Sequence, residues 1–92
     1  MNETGMKHPI AESRTLRRDE GEGAVLFDPA NGAIHSLNPT ARRIWELCDG
    51  TRTPEEIAGV LEAEYELGPA QGREDVAELI VQMEGLGLIR MS

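Results

Sequence analysis

Two tempos of apolar spacing divide the 92-residue chain. The first half carries short runs. Ala24-Val25-Leu26-Phe27 is apolar and stands between two polar, turn-forming stretches, Asp19 to Gly23 and Asp28 to Gly32, which predicts a strand buried on at least one face. In Asp28-Pro29-Ala30-Asn31-Gly32, Pro29 presets one backbone angle and Asn31-Gly32 accept the positive φ values that reverse a chain. Ala33 to Leu37 is then the returning strand of a hairpin. A weaker candidate around Arg14-Thr15-Leu16-Arg17 completes a small three-stranded antiparallel sheet.

From Asn38 onward the apolar spacing becomes helical. Asn38 is a good N-cap and Pro39 suits the first helical position, while Ala41, Ile44, Trp45 and Cys48 recur on one face until Asp49-Gly50 stops the helix. Thr53-Pro54-Glu55-Glu56 is a capping box that starts a second helix, with Ile57, Ala58, Leu61 and Tyr65 inward. Gly68-Pro69 breaks it, and Ala70-Gln71-Gly72 reads as loop. The third helix runs from about Arg73 to Glu84. Val76, Ile80 and Met83 form its apolar centre, Leu79 and Leu86 one flank, Ala77 and Val81 the other, an arc of about 220° where one-sided packing needs little over 100°. Either one flank lines a groove, or the small domain wraps this helix between the sheet and the other two helices. Leu88-Ile89-Arg90 is a short apolar tail or a last strand. The fold class is α+β, winged helix-turn-helix-like, with a three-stranded sheet followed by three helices.

Charge narrows what such a fold can do. Nine Lys and Arg against seventeen Asp and Glu leave a net charge of -8, which opposes binding to nucleic acid or an anionic membrane surface. The third helix pairs one Arg73 with Glu74, Asp75, Glu78 and Glu84, the opposite of a DNA-recognition helix. A single cysteine excludes an intrachain disulfide and points to the cytoplasm. Cys48 sits on an apolar stripe as a small hydrophobe, and His8 and His35 have no second ligand at metal spacing. No catalytic constellation, metal site or cofactor is expected. Residues 1 to 10 carry no apolar run and read as a disordered arm without a signal peptide, leaving 11 to 92 as one domain.

The pattern also resembles a known family, the small PqqD-like proteins of pyrroloquinoline quinone biosynthesis and the related recognition elements of ribosomal peptide natural-product (RiPP) pathways. The matching residues are Asp28-Pro29 and Gly32, Leu37-Asn38 leading into Ala41, Ile44 and Trp45, then Asp49 to Thr53, Glu56-Ile57, Leu61 and Tyr65. Asp75-Val76 and Leu86-Gly87-Leu88-Ile89 complete the match, which spans the chain from Leu16 onward. The resemblance implies a non-catalytic chaperone that holds the leader of a precursor peptide and presents it to a modifying enzyme, often a radical SAM protein. It places the leader as an added strand along Ala33, Ile34, His35, Ser36 and Leu37, with Asp75, Val76, Leu79, Ile80 and Met83 on the helix side.

The residues support that implication independently: an unpaired edge about 16 Å long, at roughly 3.3 Å per residue, beside an apolar cleft is the β-augmentation mode. An acidic rim of Glu74, Asp75 and Glu78 favours leaders carrying Lys or Arg. The protein is expected as a monomer or weak homodimer. The rival readings are a winged-helix DNA-binding regulator and a structural or dimerisation subunit of an enzyme complex, in which the Ala33 to Leu37 edge would already be paired.

Overall fold

The computed structural model describes residues 7–65 and 68–92, in the order β1 (Pro9–Ala11), β2 (Leu16–Glu20), β3 (Gly23–Asp28), β4 (Ala33–Leu37), α1 (Pro39–Leu47), α2 (Pro54–Tyr65), α3 (Pro69–Gly85) and β5 (Ile89–Met91). Strands β2, β3 and β4 form the expected antiparallel sheet in that spatial order, and the three helices follow it. A second, two-stranded sheet pairs β1 with β5. Residues 1 to 6 of the expected arm lie outside the described residues. Pro9 and Ile10, assigned to that arm by their polar surroundings, instead belong to the fold. Pro9 is fully buried and faces Met91 in the ladder, because a strand near each chain end lets both share one set of backbone hydrogen bonds.

Local chemistry sets the elements that carry the cleft. Gly32 turns at φ +73° while the Asp28 carbonyl accepts from its amide at 2.8 Å, and Asn31 Oδ1 accepts from Ala33 N at 2.9 Å. This closes the β3–β4 hairpin. Asn38 Oδ1 accepts from Ala41 N at 2.8 Å, so Asn38 alone separates β4 from α1. The Thr53 box is reciprocal, with Glu56 N donating to Thr53 Oγ1 at 3.1 Å and Thr53 N to Glu56 Oε1 at 2.8 Å. Gly23 lets β3 approach the end of β4, since a side chain there would collide with the Leu37 carbonyl oxygen.

Two boundaries and one side chain differ from the sequence reading. Strand β2 runs to Glu20 and reverses over Gly21-Glu22 alone, because Asp19 and Glu20 are held extended by the ladder to β3 and their side chains bond Arg17 and Arg18. Helix α3 begins at Pro69, not Arg73: Gly68 supplies the extended N-cap, Pro69 a preset first turn, and Gly72 packs against Glu62 of α2. Residues 70 to 72 are therefore helix. Tyr65 is 45% exposed, beyond the last turn that packs on the core.

The core lies between the inner sheet face and the helices. Leu26, Ile44, Ile57, Leu61, Val76 and Met83 are essentially inaccessible to water. On α1 the buried positions are Ala41, Ile44, Leu47 and Cys48, while Trp45 is half-buried at the margin. Its indole Nε1 donates to the Leu88 carbonyl at 3.3 Å, and the Arg17 guanidinium lies 6.0 Å from its ring. Trp45 thus ties α1 to β2 and to the chain after α3 rather than filling the core.

Candidate functional site: the β4 edge and its cleft

A three-stranded sheet has two edges, and their chemistry differs. Edge strand β2 reads Leu-Arg-Arg-Asp-Glu, exposed throughout, with Arg17 bonded to Asp19 and Glu46 and Arg18 to Glu20. Such charges discourage strand addition. The β4 edge, Ala-Ile-His-Ser-Leu, carries no carboxylate, Lys or Arg. Its outer side is unpaired among the described residues.

Register fixes which backbone groups face outward. The Gly21-Glu22 reversal is two residues long, so the closing pair Glu20–Gly23 exchanges hydrogen bonds, and bonded and non-bonded pairs alternate from there. Gly23, Val25 and Phe27 then bond β2, leaving Ala24, Leu26 and Asp28 to bond Leu37, His35 and Ala33 of β4. By elimination, Ile34 and Ser36 point both N–H and C=O away from the sheet. The same pleat sends their side chains to the outer face, where Ile34 is 68% exposed, and sends Ala33, His35 and Leu37 inward.

Between β4 and α3 lies a cleft of about 390 Å³. Ile34 to Leu37 form one wall, Leu79, Gln82, Met83 and Leu86 the other, and Leu88, Ala41 and Asn38 close it. A second hollow of about 310 Å³ shares Asn38, Ala41, Leu79 and Gln82 and continues along α3 past Asp75 and Glu78. Beside β4 the trough mixes Leu79, Met83, Leu86 and Leu88 with the polar His35, Ser36, Asn38 and Gln82, and it is acidic at its far end. The flank of α3 that faces it is Leu79 and Leu86; on the opposite flank Val81 is 68% exposed.

Of the expected site residues, Ile34, His35, Ser36, Leu37, Leu79 and Met83 come together in the cleft. Ala33 begins the edge, half-buried, and Asp75 stands on the acidic continuation. Val76 and Ile80 are 0% and 5% exposed and form the core behind the wall. Glu74 sits with Ala77 on the far flank, away from the rim. Leu86, placed with Leu79 on one flank of the third helix, lines the cleft, as do Gln82, Leu88, Asn38 and Ala41, which had not been singled out for it. Leu86 follows Leu79 by seven residues, nearly two helical turns, and that spacing was the available signal.

The C-terminal end of α3 is clamped to the hairpin by an ion pair between the exposed Arg14 and the buried Asp28. Arg14 donates from Nε and Nη2 to Asp28 Oδ1 and Oδ2 at 3.0 and 3.1 Å, and from Nη2 to the Gly87 carbonyl at 3.1 Å. One guanidinium therefore fixes both cleft walls at one end. The Arg14 hydrogen bonds, with the Ala30 amide next, hold the Asp28 carboxyl below its usual range. The contribution to stability is fully present above about pH 3.9, the unfolded value, and is lost as pH falls through the lower folded value. Wild type is accordingly expected to lose melting temperature below about pH 4 more steeply than Asp28→Asn, the gap between them closing in acid. Parallel melting curves would contradict this role.

Other chemistry is muted. Burial, with the Asp49 charge adding to it, pushes the Cys48 thiol up to about 12, and its Sγ donates to the Ile44 carbonyl at 3.2 Å. It stays protonated and inaccessible. Helix α2 presents Glu55, Glu56, Glu62 and Glu64 without a Lys or Arg, a surface that repels phosphates. Among the described residues no helix is long and apolar enough to cross a membrane.

Comparison with known proteins bears on this geometry. The family model of coenzyme PQQ synthesis protein D (PqqD) matches residues 23–89, from the start of β3 into β5. Among solved structures, TbiB1 in complex with the TbiA(beta) leader peptide is similar at a TM-score of 0.78 and 21% identity, over 88% of this chain and 94% of that one. Lasso peptide synthetase B1 complexed with the leader peptide is similar at 0.78 and 24%, over 90% and 98%. No curated protein matches the sequence.

Proposed function

The chain belongs to the PqqD family, and from that membership we propose that it is a non-catalytic peptide chaperone that binds the leader of a ribosomally made precursor and presents it to a modifying enzyme. The observation that carries the reading is the β4 edge: two outward N–H and two outward C=O groups, at Ile34 and Ser36, beside an open cleft that Leu79, Met83, Leu86 and Leu88 help to line. An extended peptide that adds there gains main-chain hydrogen bonds and seats alternate side chains against Leu79, Met83, Leu86 and Leu88. Asp75 and Glu78 meet the part of the peptide that runs on toward the N-terminus of α1. The two similar structures, each complexed with a leader peptide, support a leader peptide as the partner. The family description names coenzyme PQQ synthesis, and a peptide-derived cofactor of that kind as the product, with a radical SAM enzyme as the partner, completes the proposal.

The test is calorimetric titration with the leader of the precursor encoded beside this gene. Saturable one-to-one binding is expected, and no heat or chemical-shift change at micromolar protein would overturn the reading. The rim makes a further prediction for a leader bearing Lys or Arg. Exposed charge pairs contribute about 0.2 to 1 kcal/mol each and are screened by salt. Asp75→Asn with Glu78→Gln should therefore weaken binding about 2- to 30-fold at low ionic strength and flatten its salt dependence. An unchanged salt slope would remove the rim from recognition.

A further inference from the structure

His35 stands apart among the residues of the cleft. It is half-buried on the inner face of β4, opposite Leu26 in the ladder, and its Nε2 is shielded from water with no hydrogen-bond partner among the described residues. Buried imidazole nitrogens are normally paired, and an unpaired one is costly. The neighbouring polar groups do not serve it: Asn38 Oδ1 is taken by the Ala41 amide, and Gln82 is exposed on α3. The ring borders an open cleft. Its terminal torsion is soft, so a modest rotation brings the nitrogen to an incoming group.

Resting on the peptide-binding reading above, we infer that His35 is a specificity-determining residue, whose Nε2 hydrogen-bonds a hydroxyl-bearing side chain, Ser, Thr or Tyr, of the bound peptide. Three considerations favour a small uncharged group such as a hydroxyl over a charged one. A neutral imidazole offers a donor at one nitrogen and an acceptor at the other, and a hydroxyl satisfies either tautomer. A ligand carboxylate would meet Asp28, buried on the same sheet face, and the acidic continuation at Asp75 and Glu78. A ligand ammonium would have to shed water between Leu79, Met83 and Leu88. The hydroxyl side chain would occupy an inward position of the added strand, with outward neighbours on either side lying next to Ile34 and Ser36.

The experiment uses an array of 12-residue peptides of random sequence probed with the full chain. Wild type should enrich peptides sharing Ser, Thr or Tyr at one fixed position. The best of them, resynthesised with that residue changed to Ala, Val or Phe respectively, should bind wild type about 10-fold more weakly. His35→Phe should bind both peptides of the pair within about 2-fold of each other, and His35→Gln, which keeps a hydrogen-bonding group, should restore part of the discrimination and stands in if the Phe variant does not fold. Equal discrimination by wild type and both variants, or enrichment with no positional hydroxyl, overturns the role of His35 while leaving peptide binding intact. An array with no peptide above scrambled controls overturns both.

Discussion

Ile34→Pro is expected to weaken leader binding about 10- to 100-fold while the domain stays folded. The expectation rests on the ladder alternation. The Ile34 amide faces the free edge, so a proline there breaks no bond to β3 and takes a position where edge strands tolerate it. What it removes is one of two outward donors, and it leaves the matching carbonyl of the peptide desolvated and unpaired, at about 1 to 3 kcal/mol. His35→Pro is the control, because the His35 amide bonds Leu26 of β3; proline there should unfold the sheet. Calorimetry and thermal melting of the two variants check the pair. Wild-type affinity in Ile34→Pro would show that the peptide, if bound, does not pair with this edge.

The second large effect concerns the support beneath the cleft. Ile44→Ala should destabilise the fold by about 2 to 5 kcal/mol, against a total of roughly 5 to 14 kcal/mol for a chain of this length. Ile44 is wholly buried within the core and touches the floor of the trough beneath Asn38 and Leu79. The cavity left by the truncation cannot close without moving α1, which is tied to β4 through the Asn38 cap. Urea unfolding measures this directly. A loss under about 1 kcal/mol would mean that the helices settle into the gap. Trp45→Ala is expected to cost less than a core tryptophan, since the ring is only half-buried.

Legibility in the sequence followed the range of the interaction. The hairpin turn, the Asn38-Pro39 start of α1 and the Thr53 capping box are encoded within four or five residues, and each forms as its local chemistry dictates. The start of α3 was hidden because Gly68-Pro69 serves equally as a break and as an N-cap with a first-turn proline. The β1–β5 pairing joins opposite ends of the chain, and no periodicity in a three-residue strand announces it. Within the cleft, the edge strand and the Leu79 flank follow from alternation and helical spacing. Val76 and Ile80 share the apolar arc with Leu79, and only packing against α2 decides that they face the core. Arg14 was unreadable as a clamp, since its partners Asp28 and Gly87 lie 14 and 73 residues away.

Site-resolved amide hydrogen exchange with and without the leader peptide tests the central claim most directly. In the free protein the Ile34 and Ser36 amides should exchange quickly while the His35 and Leu37 amides, bonded to β3, exchange slowly. Saturating peptide should slow Ile34 and Ser36 selectively. A bound peptide that leaves both amides fast, or a free protein in which both are already slow, would contradict strand addition at β4.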